Sequence, residues 1–164
     1  MNAASRFDAR ELFATLARHD VDYVTVGGIA IQAHGGQRLT QDLDVAVATS
    51  AENLERLASA LADLDARVLG PDGRRSSSAP TASLLASSDL WHLITEHGAL
   101  DIVTLPAHLG TFEEMRARAH ETSLGDVIVP IADREDLLKM KRASGRPQDL
   151  ADVEFLESLD DESD

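Results

Sequence analysis

Residues 24–47, VTVGGIAIQAHGGQRLTQDLDVAV, constrain the fold more than any other stretch of the chain. An apolar strand runs into a glycine pair, and a second strand opens by alternating aspartate with leucine and valine. Strand side chains alternate faces, so Asp42 and Asp44 share one face while Leu43, Val45 and Val47 share the other. The Cα atoms of the acids stand roughly 6.5–7 Å apart in such a strand. A strand that only fills a core has no use for paired carboxylates, because buried charge is costly unless opposite charge meets it. Carboxylates at that separation converge on one or two small divalent cations. Magnesium (Mg2+) suits them, since it takes hard oxygen ligands and keeps waters or phosphate oxygens.

The glycines sharpen this reading. Gly27 and Gly28 stand where strand passes to helix, so no Cβ blocks a ligand from the backbone, and amides opening a helix attract phosphate. A third acid follows in ALDIVTL, where Asp101 faces away from Leu100 and Ile102. If the two acid-bearing strands are neighbours, Asp101 joins Asp42 and Asp44. A carboxylate pair on metal with a third as general base suits attack on a phosphoryl group.

The remaining pattern predicts a mixed α/β (α+β) fold, a sheet flanked by helices. Helices are expected over 6–19, within IAIQAHGG, over SAENLERLASALADL with Ser50 as N-cap, and over 111–120. ADREDLLKMKRAS forms another, ended by Gly145, and Pro147 opens the last. Strands are expected at DYVTV, DLDVAVA, ARVLG and DVIVPI, with LWHLIT and ALDIVTL forming a hairpin at His97–Gly98. Residues 70–80, GPDGRRSSSAP, read as a loop. The organisation expected is one domain over 1–164, with a core of about 1–105, a C-terminal helical extension of about 106–158 and an acidic tail at 159–164.

Composition narrows the function classes. The net charge of −14 opposes a broad nucleic-acid-binding face, which requires Lys and Arg to displace counterions. Absence of cysteine excludes disulfides and thiolate metal sites. No apolar run approaches the roughly 20 residues that span a bilayer, and the charged N-terminus lacks the apolar core of a signal peptide. No membrane partner and a cytoplasmic location are therefore expected.

The stretch VGGIAIQAHGGQRLTQDLDVAV resembles the signature of the nucleotidyltransferase superfamily, the polymerase-β-like fold. Gly27 and Gly28 match its glycine pair, Asp42 and Asp44 its metal-binding acids, and Asp101 its later third carboxylate. The second glycine replaces the more familiar serine and its hydroxyl. Within that superfamily the chain is similar to small bacterial proteins related to AbiEii-type toxins, through His34, Gly35, Arg38, Thr40, Asp42 and Asp44, then Lys141, Arg146, Asp149 and Asp152. The resemblance runs from about residue 20 to 155. It implies two magnesium ions, an NTP donor, and transfer of NMP to an acceptor hydroxyl. A tRNA end or a protein side chain is the implied acceptor, with a cognate toxin or antitoxin as partner. A small-molecule antibiotic acceptor, and a non-catalytic nucleotide-binding or antitoxin module, stand as alternatives. Gly27, Gly28, Arg38 and Thr40 become the nucleotide-binding set, and Asp42, Asp44, Asp101 and Lys141 the catalytic one.

Lys141 stands out without the resemblance. It lies four after Leu137 and three after Leu138, on the inward face of its helix, where a lysine either snorkels or meets a phosphate or carboxylate. Lys139 lies on the opposite side. The histidines show no zinc spacing, His92 and His97 simply flanking a hairpin, and His34 is expected to pack its turn. Arg146 with Asp149 is expected to form an i, i+3 pair. Ser76–Ser78 lack the context of a serine nucleophile.

Overall fold

A computed structural model describes residues 6–37 and 39–161. The first helix, α1 (Ala9–Arg18), starts where Asp8 accepts a hydrogen bond from the Glu11 amide. It leads through β1 (Tyr23–Val26) and α2 (Gly27–Ala33) to β2 (Asp42–Val47). Ser50 then caps α3 (Ala51–Asp63) by accepting from the Asn53 amide, as the sequence predicts. Next come β3 (Arg67–Val68), a single turn α4 (Ala82–Leu85), β4 (Leu90–Thr95) and β5 (Gly98–Val103). After α5 (Phe112–Arg118), the hairpin of β6 (His120–Leu124) and β7 (Val127–Ile131) precedes α6 (Arg134–Ser144) and α7 (Pro147–Asp161). No helix among the described residues is long and apolar enough to cross a membrane.

The strands form one mixed sheet in the order β3-β4-β5-β2-β1-β7-β6. β2 runs parallel to β5 and β1 parallel to β7; the other neighbours are antiparallel. Leu43 and Val45 on β2 and Leu100 and Ile102 on β5 are buried, as alternation requires. Leu12, Phe13 and Leu16 of α1 and Leu54, Leu57 and Leu61 of α3 complete the core, with α1 touching α3, β2 and β7. Gly145 adopts φ +66°, so α6 ends in a left-handed residue and α7 restarts at Pro147.

The segment after residue 105 holds the helix expected over 111–120 and the strand expected at DVIVPI, with a further strand between them. Its helix stops at Arg118, and His120–Leu124 is a strand. β6 is exposed at every position and has no apolar alternation, so its conformation comes from pairing with β7 across the Gly125 turn. β7 in turn extends the sheet beside β1, so the sheet is completed by residues well beyond 105. Trp91 packs on the core and donates from Nε1 to the Leu85 carbonyl.

Asn53 joins two chain segments at the end of the sheet remote from the acids. Its Oδ1 accepts from the Asp22 amide at 2.7 Å, and its Nδ2 donates to the carbonyls of Ala48 at 2.7 Å and Asp22 at 3.0 Å. Truncation removes all three bonds, among them the one to the buried Ala48 carbonyl, while the Asp22 carbonyl keeps the Ala48 amide. Asn53→Ala is expected to cost about 2–3 kcal/mol, read as a lower urea midpoint, while leaving divalent-cation binding unchanged.

Candidate active site

The parallel pairing of β2 with β5 puts Asp44 opposite Asp101. Asp42 lies two residues along the same strand face, and one carboxylate oxygen from each of the three acids lies within 4.8 Å of the others. All three are half-buried. The expected convergence is therefore present. Asp44 is pushed up to about 7, first by burial, then by the charges of Asp42 and Asp101 and a hydrogen bond with Asp101; Lys141 pulls it the other way. A hard, all-oxygen donor set under mutual repulsion fits a divalent cation such as magnesium.

The glycines do a more specific job than bare backbone alone suggests. Gly27 has φ +69°, and a Cβ there would lie 1.9 Å from Asp44 Oδ2. A Cβ on Gly28 would lie 2.9 Å from Thr40 Cβ and Oγ1. The space expected for a ligand is thus taken by side chains from the acid strand and its approach. Thr40 in turn donates from Oγ1 to Asp42 Oδ1 at 2.8 Å. Gly27, still lining the cleft, sits against Asp44, whereas Gly28 is buried. Arg38 lies outside the described residues.

Lys141 meets carboxylates, one of the options left by its position in the sequence. Its Nζ lies 3.2 Å from Asp149 Oδ1 and 3.0 Å from Asp152 Oδ2, both on α7. Arg146 Nε reaches Asp149 Oδ2 at 2.9 Å, making the predicted i, i+3 pair. Burial alone would raise Asp149, but hydrogen bonds from Arg146, Ser144 and Lys141 prevail and hold it well below the usual carboxylate range. The same lysine borders the acid cleft, so α7 fixes a cation beside Asp44. His34 donates from Nε2 to the Ala132 carbonyl at 2.9 Å and serves its turn, as expected.

Gly27, Asp44, Asp101, Lys141, Arg146 and Asp149 border a cleft of about 390 Å³. Leu90 and Val103 on the strands and Leu137 and Met140 on α6 give it an apolar wall beside the acids. His92 also lines it, with Nδ1 3.0 Å from Asp101 Oδ1. Sequence reading left His92 as a hairpin residue; counting back from the turn would have set it opposite Asp101, the register the strands adopt.

No protein-family model matches the chain, and no curated protein is significantly similar to it in sequence. Solved structures match its fold. The ANT(2")-Ia structure in complex with adenylyl-2"-tobramycin superposes with a TM-score of 0.60 at 15% identity, covering 92% of this chain and 87% of that one. The lincomycin-bound lincosamide antibiotic adenylyltransferase LnuA gives 0.59 at 18% identity, covering 94% and 99%. A candidate nucleotidyltransferase from Thermotoga maritima gives 0.55 at 13% identity, covering 94% and 91%. The chain therefore has a nucleotidyltransferase-like fold, with a seven-stranded mixed sheet flanked by helices.

Two outcomes test the geometry. In the metal-free protein, between pH of about 4 and 7, folded Asp44 holds a proton that the unfolded chain has released, so its contribution to stability falls as pH rises through that window. Asp44→Asn removes the penalty: thermal melts at pH 8 should rise by roughly 2–8 °C, about 1–2 kcal/mol after allowance for partial exposure, and those at pH 4 should not change. Gly27→Ala displaces the Asp44 carboxylate and is expected to weaken Mg2+ binding at least about tenfold by calorimetry, a loss of about 1.4 kcal/mol.

Proposed function

We propose that the protein is a divalent-metal-dependent nucleotidyltransferase that moves an NMP from an NTP to an acceptor hydroxyl. The observation that carries this reading is the convergence of Asp42, Asp44 and Asp101 from parallel strands beside the cleft, on a nucleotidyltransferase-like sheet. Asp42, Asp44 and Asp101 would hold the magnesium ions, which when bound supply charge neutralisation for the triphosphate and polarise its α-phosphorus. Asp101 accepts the proton of the acceptor hydroxyl, whose oxygen forms the new bond to the α-phosphorus as the bond to pyrophosphate breaks. Lys141, fixed by Asp149 and Asp152, supplies positive charge beside the reacting phosphates. The Gly27 backbone borders the nucleotide at the cleft, Gly28 and Thr40 position Asp42 behind it, and Arg38 belongs to the same proposed set.

A small-molecule acceptor is the reading favoured for this cleft. Its volume of about 390 Å³ suits such a ligand, and the similar structures include one bound to lincomycin and one holding an adenylyl-tobramycin product. A tRNA end or a protein side chain, within a toxin–antitoxin pair, remains the reading supported by the sequence resemblance.

Incubation with each α-labelled NTP, magnesium and whole-cell lysate tests the function and separates the acceptors. Label on a small molecule, an RNA band or a protein band distinguishes the three. The Asp42→Ala/Asp44→Ala double variant is expected to lose transfer by at least about 1,000-fold with unchanged circular dichroism. Transfer at the wild-type rate by that variant would refute the assignment.

A further inference from the structure

We propose that His92 is the residue that receives the acceptor, its Nε2 taking the proton of the attacking hydroxyl as its Nδ1 proton passes to Asp101, so that Asp101 acts as the base through the ring. This rests on the nucleotidyl-transfer reading and adds the direction from which the acceptor enters.

Val26 pairs with Asp44, Asp44 with Asp101, and Asp101 with His92. Four adjacent strands therefore carry these residues in one row across the sheet, about 14 Å long at a strand spacing of about 4.8 Å. Directly paired residues point to the same face, so His92 shares the acid face on the far side of Asp101 from Asp42 and Asp44.

Hydrogen-bond chemistry fixes the polarity of the ring. An ionised carboxylate only accepts, so the 3.0 Å contact requires the proton on His92 Nδ1. In the neutral ring Nε2 then carries a lone pair, and it makes no hydrogen bond among the described residues. The side chain is 57% exposed and lines the cleft. Its neighbours on this face that also line the cleft are Leu90 and Val103, which offer no hydrogen bond to a hydroxyl.

In-line displacement completes the case. Nucleophile and leaving group lie on opposite sides of the α-phosphorus. With the nucleotide bordered by Gly27 on the β1–β2 side, the acceptor enters from the β4 side. There Asp101 and His92 are the polar groups, and Leu90 and Val103 support the carbon skeleton that bears the hydroxyl.

The test measures pyrophosphate release from Mg·NTP with water as the acceptor. His92→Ala is expected to lower release about 10- to 100-fold while leaving Mg·NTP binding by calorimetry unchanged. Asparagine places its amide near the Nδ1 position and glutamine near Nε2, so His92→Gln should retain more activity than His92→Asn. Full recovery by asparagine means that His92 only positions Asp101, and an unaffected alanine variant removes it from the reaction; either result overturns the proposal. If the wild-type protein transfers label from no NTP even in the presence of lysate, the transfer reading itself fails. The ring geometry is then judged separately by long-range ¹⁵N–¹H NMR of the metal-free protein at pH 8. A protonated Nδ1 with a bare Nε2, altered by Asp101→Asn, is expected; the opposite tautomer overturns the proposal.

Discussion

Three like charges held together by backbone register are the constraint on which the rest of the structure depends. Asp42, Asp44 and Asp101 sit closer than their charges favour, and the upward push on Asp44 comes first from burial and then from those neighbouring charges. The reverse face supplies the compensation. A slip of one residue between β2 and β5 would turn Leu43, Val45, Leu100 and Ile102 out of the core. Each contributes roughly 1.5–3 kcal/mol when fully buried, so their sum exceeds what relief of the acid repulsion returns. The apolar face thus holds the polar face in a strained arrangement that a bound cation would relax.

The second constraint is the joint between α6 and α7. A buried lysine shared by a pair of carboxylates gives little net stability, because desolvation offsets the attraction. Its consequence is positional. Asp149 and Asp152 limit where the Lys141 ammonium can go, and Arg146 offsets the remaining negative charge on Asp149. The left-handed Gly145 lets α7 turn back along α6 so that these groups meet. Removing both carboxylates would leave Lys141 free to pair with Asp44, the group the proposed reaction needs for metal.

Much of the candidate site was legible because it depends on short-period patterns. Period-2 alternation placed Asp42 and Asp44 on one face and Asp101 on the polar face of its own strand. Helical spacing turned Lys141 inward and set Arg146 against Asp149. What failed was information carried by pairing. β6 has no apolar pattern of its own and becomes a strand because β7 offers an edge. His92 looks like any exposed strand residue until its partner across the hairpin is known. The glycine pair signalled close approach correctly, but the groups that approach are Asp44 on the acid strand and Thr40 just before it.

The sequence by itself determined which side chains could share a face and where the helices begin and end, because alternation, spacing and capping act over a few residues. It also determined the chemistry on offer: hard oxygen ligands, one inward lysine and no thiol. Only the tertiary structure decided that β5 lies parallel to β2 in the register that sets Asp101 against Asp44. It likewise decided that α7 returns its carboxylates to Lys141, and that β7 closes the sheet beside β1. Those decisions depend on which apolar faces bury most area together, a quantity summed over the whole chain and absent from any local stretch of it.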